Sequence, residues 1–253
     1  TAWSMLNYPK PAPFEAIDSA WQYCLLGAEH TWGYQNPRAP LAKQIEQTKA
    51  SYFENSLKDS RDLLAQTFKA IRRPSGNMIA IFNTLSWDRG GLVTLTKEQS
   101  ETGDRVVDEG GRALPSQRLS TGQLVFLASK IPALGAPVVT VGNGAPGKLQ
   151  GQGCAVSDNV ISNALISVTV DKTTGDITSV KDKATGMEYA DKQSEYNLNS
   201  YRYLQGADSA DKALKPYNIK LEVKENGPLV ASILVRSAAA GCNWLTREIR
   251  VVS

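Results

Sequence analysis

Apolar residues in the first seventy positions recur at steps of three and four residues, the spacing of a helix with one apolar face. Pro13 suits the first position of such a helix, and the positions that follow it on one stripe are Phe14, Ile17, Trp21, Cys24 and Ala28. A second set with the same spacing covers residues 41–71, before Arg72 and Arg73. Positive charge favours a helix C-terminus, so the pattern predicts two helices.

From Asn77 onward the apolar residues form short runs separated by turn sequences. The runs typical of strands are 78–85, 92–96, 124–130, 138–141, 165–170, 219–223, 229–235 and 246–252. Glycine-rich or Asn-Gly turns lie between several of them, including residues 88–91, 142–144 and 226–228. Many short strands without crossover helices predict an antiparallel β-sandwich.

The composition changes near Pro74, and residues 142–153 are rich in Gly and Pro, as in a linker. We therefore expect a multidomain α+β chain: a helical hairpin over 1–73, a small β-sandwich module over 74–148 and the start of a larger β-sandwich over 149–253. Two helices cannot bury two apolar faces alone, so we expect part of a three-helix bundle, completed by further chain or by the β region. The last strand runs to Ser253 without a closing turn, which predicts a truncated piece of a longer polypeptide.

Composition excludes two classes of partner. The net charge is only +3 and acidic residues are interleaved with basic ones, which is typical of a solvated surface and not of a nucleic-acid-binding stripe. The longest apolar stretch, residues 125–141, contains Lys130, Pro132 and Pro137, and this argues against a membrane span. The three cysteines lack the paired spacings of a zinc site or disulfide scaffold.

Several sequence stretches resemble glycoside hydrolase family 38, the α-mannosidases, and occur in the same order. They are IFNTLSW (81–87), IPALG (131–135), DKTTGDITSVKDKATG (171–186), NGP (226–228) and LTREIR (245–250). The resemblance covers nearly all of residues 77–253. These stretches are mostly strands and turns, with Asp171, Gly175, Asp182 and Gly186 as turn formers. The resemblance implies a mutarotase-like supersandwich for the β region.

The segment EHTWG (29–33) resembles the place where a helix of this family presents a histidine to the catalytic zinc, and His30 is the only histidine of the chain. Helical spacing groups His30 with Leu26 and Tyr23, away from the main apolar stripe. The alternative is a histidine that stabilises a helix C-terminus. Thr31 stands where the family has an aspartate that contacts the sugar, so the sugar specificity stays open.

Two aromatic residues are candidates for sugar contacts. Trp32 follows the EHT segment and is a candidate for stacking on a sugar ring, although packing at a helix end is the alternative. The segment SYRYL (200–204) resembles the family segment whose tyrosine reaches the bound sugar, and Tyr201 is the matching position. The alternative for Tyr201 is a tyrosine packed in a sheet, like Tyr203.

The resemblance implies a fragment of a retaining glycosidase that hydrolyses terminal α-mannosides and therefore acts in mannose metabolism. The two carboxylates of such an enzyme lie about 5 to 5.5 Å apart and belong, in this family, to an N-terminal domain. No acidic pair here matches its motifs, so we expect no catalytic residue in this chain and no activity from it alone. The expected cofactor is zinc; the expected partners are a mannose-containing glycan and the missing domain.

The rival interpretation is a non-catalytic carbohydrate-binding or scaffold module. In that case exposed aromatic residues of the β region would contact the glycan, and Trp87 and Trp244 are the candidates, with packing in a turn or strand as their alternative role.

Overall fold

The computed structural model describes residues 11–29, 36, 38–69 and 76–253. These residues form two helices followed by four antiparallel sheets, an α+β fold with a β-rich part, as the sequence predicts. The chain divides into two compact units, one of residues 1–74 with 84–86 and one of residues 75–83 with 87–253. None of the described helices is long and apolar enough to span a membrane.

The helical unit contains α1 (Phe14–Ala28) and α2 (Ala42–Lys69). Both helices lie where the three- and four-residue spacing predicts them. Pro13 lies just before the first turn of α1, and its carbonyl accepts a hydrogen bond from the Ile17 N–H at 3.1 Å. The proline therefore directs the entry of the chain into the helix without interrupting it.

Small and aromatic residues form the contact between α1 and α2. Ala20 and Gly27 are the buried residues of α1. A Cβ atom on Gly27 would lie 2.8 Å from the Phe53 ring, so the close approach of α2 requires glycine here. The Tyr23 and Tyr52 rings stack with their centroids 6.4 Å apart.

The interhelical contact only partly coincides with the apolar stripe of α1 that the sequence indicates. Phe14 and Trp21 of that stripe are 68% and 63% exposed, whereas Tyr23, grouped with His30 by spacing, lies against α2. Ile17, Trp21 and Cys24 of the stripe line a groove between the two helices, beside the closest contact at Ala20 and Gly27. Part of the stripe therefore faces α2, and part of it, at Phe14 and Trp21, is exposed.

The first half of the β unit contains two sheets. Their strands are β1 (Met78–Ala80), β2 (Arg89–Leu95), β3 (Arg105–Asp108), β4 (Ala113–Leu114), β5 (Ser116–Arg118), β6 (Leu124–Ile131) and β7 (Val138–Gly142). One sheet has the order β1-β7-β3-β4 and the other the order β2-β6-β5, with every pair antiparallel. The sheets share one hydrophobic core, in which Val106 and Phe126 are fully buried.

The second half repeats this arrangement with longer strands. They are β8 (Ala155–Ser157), β9 (Val160–Ser162), β10 (Ile166–Val170), β11 (Ile177–Asp182), β12 (Tyr217–Asn226), β13 (Val230–Ala238) and β14 (Leu245–Val252). The sheet orders are β11-β10-β9-β8 and β12-β13-β14. Ile161 and Ile233 are buried in the core between them.

Polar side chains join the two halves of the β unit. The N–H groups of Leu229 and Val230 both donate to Oε1 of Gln117 at 2.9 Å, and Nε2 of Gln117 donates to the Val230 carbonyl at 3.0 Å. The buried Glu225 carboxylate accepts hydrogen bonds from the backbone N–H and the hydroxyl of Ser120 at 3.0 and 2.5 Å. Buried polar groups are therefore satisfied across the junction.

Candidate functional site

Two of the three site residues that the sequence suggests, His30 and Trp32, lie outside the described residues. Within the described ranges, no group of three or more His, Cys, Asp or Glu side chains is placed to hold a metal ion. Zinc sites use three or four protein ligands. The described side chains therefore do not form a zinc site by themselves.

Tyr201, the third candidate, lies against the turn that connects β13 and β14. Its hydroxyl donates a hydrogen bond to the Ala240 carbonyl at 2.6 Å, and the Cys242 sulfur is 4.0 Å from the same oxygen. The turn requires Gly241, since its φ is 82° and a Cβ atom there would overlap the Tyr203 ring. Tyr201 is thus packed against a turn whose backbone is closely constrained.

The Tyr201 side chain remains partly accessible to solvent. Burial, and then the neighbouring Cys242 thiol, raise the pKa of Tyr201 above 10.0, so its hydroxyl stays protonated at neutral pH. Its one hydrogen points to Ala240, which leaves the oxygen lone pairs as acceptors. The hydroxyl can therefore accept a hydrogen bond from a ligand hydroxyl without losing its own partner.

A buried ion pair holds the segment that leads into Tyr201. Nη1 of Arg247 lies 2.8 Å from Oδ1 of Asp176, and the side chains are only 7% and 9% exposed. Nη1 also donates to the Asn199 carbonyl at 3.0 Å, while the Ser200 hydroxyl donates to Oδ2 of Asp176 at 2.6 Å. The two residues immediately before Tyr201 are therefore fixed by this pair.

Sequence reasoning missed Asp176 and Arg247, although a signal was present. Arg247 occupies an inward position of β14, in alternation with the buried Ile249 and Val251. A charge at such a position needs a buried counter-ion. Asp176 follows the turn former Gly175 and its partner is 71 residues away in the sequence, so no local pattern indicates the pair.

The two DKxTG segments form related turns on either side of β11. Oδ1 of Asp171 accepts the N–H of Thr174, and Oδ1 of Asp182 accepts the N–H of Thr185, at 2.8 and 2.7 Å. The pKa of Asp171 is lowered, chiefly by the hydrogen bond from the Thr173 side chain. These carboxylates have the structural turn role that the sequence predicts for them.

Other carboxyl groups of the β unit are also engaged as ionised acceptors. The pKa of Glu188 is lowered to about 2, first by the Ser179 hydroxyl and then by the Ala190 N–H. A general acid of a glycosidase needs a raised pKa. Glu188, Asp171 and Asp182 therefore have the opposite property to that of an acid catalyst.

Comparison of the sequence with models of known protein families gives no match. A search of curated protein sequences gives no significant match either.

Proposed function

We propose that this chain is part of a retaining α-mannosidase-type glycoside hydrolase that acts on terminal α-mannosides. In this proposal His30 contributes one zinc ligand, and Tyr201 and Trp32 contact the sugar. The β region is of the mutarotase-like supersandwich type. The nucleophile and the acid/base are contributed by an N-terminal domain outside this chain.

The observation that carries the proposal is the fixed Tyr201 hydroxyl. A sugar presents many hydroxyl donors, and the Tyr201 oxygen is an acceptor that is held in place from two sides. The Ala240 carbonyl fixes its hydrogen, and the Arg247–Asp176 pair fixes the backbone that precedes it. Such support is what keeps a binding group in a productive geometry.

In this proposal the acid/base is contributed by a domain outside the 253 residues. The proposal therefore needs a partner domain, and the helical unit has an apolar surface suited to one. A groove of about 480 Å³ between α1 and α2 is lined by Ile17, Trp21 and Leu64, and Trp21 and Leu64 are 63% and 52% exposed. Exposed apolar surface of this kind marks interaction sites.

Kinetics of the complete enzyme with an aryl α-mannoside test the role of Tyr201. We expect Tyr201→Phe to lower kcat/KM by about two- to tenfold, the effect of one lost neutral hydrogen bond. Tyr203→Phe is the matched control, because the Tyr203 hydroxyl has no hydrogen-bond partner among the residues that the structure describes. Equal kcat/KM values for both variants, with turnover intact, would contradict the sugar contact.

Metal analysis of the complete enzyme tests His30 separately. In this proposal His30→Ala removes one zinc ligand. Both zinc content and turnover should therefore fall sharply while the melting temperature changes little. A helix-capping histidine would show the reverse, with about 0.5 to 1 kcal/mol of lost stability and unchanged zinc content. The 253-residue chain by itself should not hydrolyse aryl α-mannosides, and turnover by it would contradict the proposed division of residues.

A second candidate is a non-catalytic carbohydrate-binding module, which the exposure of two tryptophans favours. Trp87 and Trp244 are 60% and 73% exposed, and exposed aromatic rings stack on sugar faces. Glycan binding by the 253-residue chain that is lost in Trp87→Ala or Trp244→Ala, but kept in His30→Ala, would favour the module over the enzyme.

A further inference from the structure

The sequence contains two Asn-Gly pairs, Asn143–Gly144 and Asn226–Gly227. An asparagine before glycine is prone to deamidation, because glycine has no Cβ to shield its backbone nitrogen. The reaction also requires the asparagine side chain and the glycine N–H to be free to approach each other. The two pairs differ in this respect, so the fold can select between them.

Asn143 and Gly144 are exposed and lie in the turn that follows β7. Within residues 76–253, the Asn143 side chain and the Gly144 N–H make no hydrogen bond. Nothing in this part of the chain holds the side-chain amide away from the backbone nitrogen. The Asn143 side chain is therefore free to rotate so that its Cγ approaches the Gly144 nitrogen.

Asn226 and Gly227 are held at both reacting positions. Oδ1 of Asn226 accepts the Val156 N–H at 2.9 Å, and the Gly227 N–H donates to the Val230 carbonyl at 3.1 Å. Asn226 is also paired with Ala231 in the β12–β13 ladder. Cyclisation here would have to break these bonds, so it proceeds only through local opening.

We propose that Asn143 is a site of spontaneous deamidation and isoaspartate formation in the folded protein, and that Asn226 is protected. The Gly144 nitrogen loses its proton to water and attacks Cγ of Asn143, forming a succinimide, and the side-chain nitrogen leaves as ammonia. Water then adds to one succinimide carbonyl, and the bond from that carbon to the Gly144 nitrogen breaks. Attack at Cγ gives aspartate, and attack at the backbone carbonyl gives isoaspartate. One water is consumed, one ammonia is released, and nothing is oxidised or reduced.

The product changes charge and backbone beside a basic residue. Deamidation adds a carboxylate to a turn in which Arg105 Cδ would lie 3.0 Å from a Cβ atom on Gly144. Isoaspartate also inserts one methylene into the backbone directly after β7. Both changes act at the junction between the two halves of the β unit, where residues 142–153 connect their sheets.

Peptide mapping of the aged full chain tests the proposal. Trypsin releases residues 131–148 and 225–236, and each peptide has one asparagine and no glutamine, so the mass increase on replacing NH₂ by OH is unambiguous. After incubation at mildly alkaline pH, we expect peptide 131–148 to convert at least about tenfold faster than peptide 225–236, because Asn226 reacts only through opening. Asn143→Gln should abolish conversion of the first peptide, since cyclisation of glutamine is slower.

The same chain unfolded in urea is the control for intrinsic reactivity. Both peptides should then convert at comparable rates, because the hydrogen bonds of Asn226 are lost. Equal rates in the folded chain would overturn the proposal. If Asn143 stays unmodified in the folded chain but is converted in urea, the proposal is overturned as well.

Discussion

Arg247 lies buried on a strand face that is otherwise apolar. Its side chain contacts Asp176 and the carbonyls of Asn199 and Thr174, while its Nε has no hydrogen-bond partner among the described residues. A buried charge is costly without its counter-ion. The pair therefore matters less for its net contribution to stability than for the conformation that it imposes.

Removal of Asp176 should expose this dependence. We expect Asp176→Ala to lower the free energy of unfolding of the β unit by about 3 to 5 kcal/mol, because Arg247 would remain buried and unpaired. Glu222→Ala is the matched control: its pair with Arg236 is 52% and 55% exposed, and such surface pairs contribute about 0 to 1 kcal/mol. Urea denaturation followed by circular dichroism measures both. Similar losses would contradict the burial argument.

The lowered pKa of Glu248 makes the stability of the β unit depend on pH. Burial raises its pKa, but hydrogen bonds from Lys224 and Arg250 outweigh burial and lower it from 4.5 to about 2. A lowered folded-state pKa gives a stabilisation that is present above about pH 4.5 and is lost as the pH falls towards 2. Unfolding measured from pH 6 to pH 2 should show a shallower acid decline for Glu248→Gln than for the wild type. Parallel curves would contradict this origin.

The two DKxTG turns have the same backbone conformation but different surroundings. Gly175 and Gly186 both have positive φ, 70° and 74°. A Cβ atom on Gly175 would overlap Val235 and lie 2.5 Å from Nη2 of Arg247, whereas on Gly186 the nearest atom, in Lys181, is 4.0 Å away. Both turns therefore require a residue in the left-handed conformation, but only the first turn is packed against the core.

Alanine at the two glycines should separate these effects. Gly186→Ala should cost about 1 to 2 kcal/mol, the penalty for the left-handed conformation alone. Gly175→Ala should cost at least about 1 kcal/mol more, because it also displaces Val235 and Arg247. Urea denaturation of both variants and of the wild type measures the two losses in free energy of unfolding. A larger loss for Gly186→Ala would show that packing around Gly175 is easily relaxed.

Among the strands, the predicted runs include several of the longer ones but not β11 (Ile177–Asp182). The runs at 124–130, 138–141 and 246–252 correspond to β6, β7 and β14, because several alternating or continuous apolar residues define each. The short strands β4 and β5 were missed, since two or three residues carry no periodicity. The predicted strand at 78–85 is regular only over Met78–Ala80, although the Ile81 and Asn83 N–H groups still donate to the Pro137 and Gly135 carbonyls in the register of the β1–β7 pair.

At the scale of the whole molecule, Gln117 joins the two halves of the β unit by one side chain. We expect Gln117→Ala to cost about 2 to 3 kcal/mol, because the fully buried backbone groups of Leu229 and Val230 would lose their partners. Gln123→Ala is the control, since the Gln123 side chain accepts an exposed hydrogen bond from Thr121 and makes no other within the described residues. Urea unfolding compares them. Equal free energies of unfolding for Gln117→Ala and Gln123→Ala would show that the Gln117 hydrogen bonds do not stabilise the junction.

The sequence alone determined that two helices precede a β-rich region, because helical spacing and alternating strands are local patterns. It also indicated the turn roles of Asp171 and Asp182, which depend on neighbours two or three residues away. Only the tertiary structure decided which face of α1 meets α2, and that Arg247 pairs with Asp176 to support Tyr201. These contacts join distant residues, and their choice depends on shape and on the satisfaction of buried charge, neither of which a hydrophobic pattern encodes.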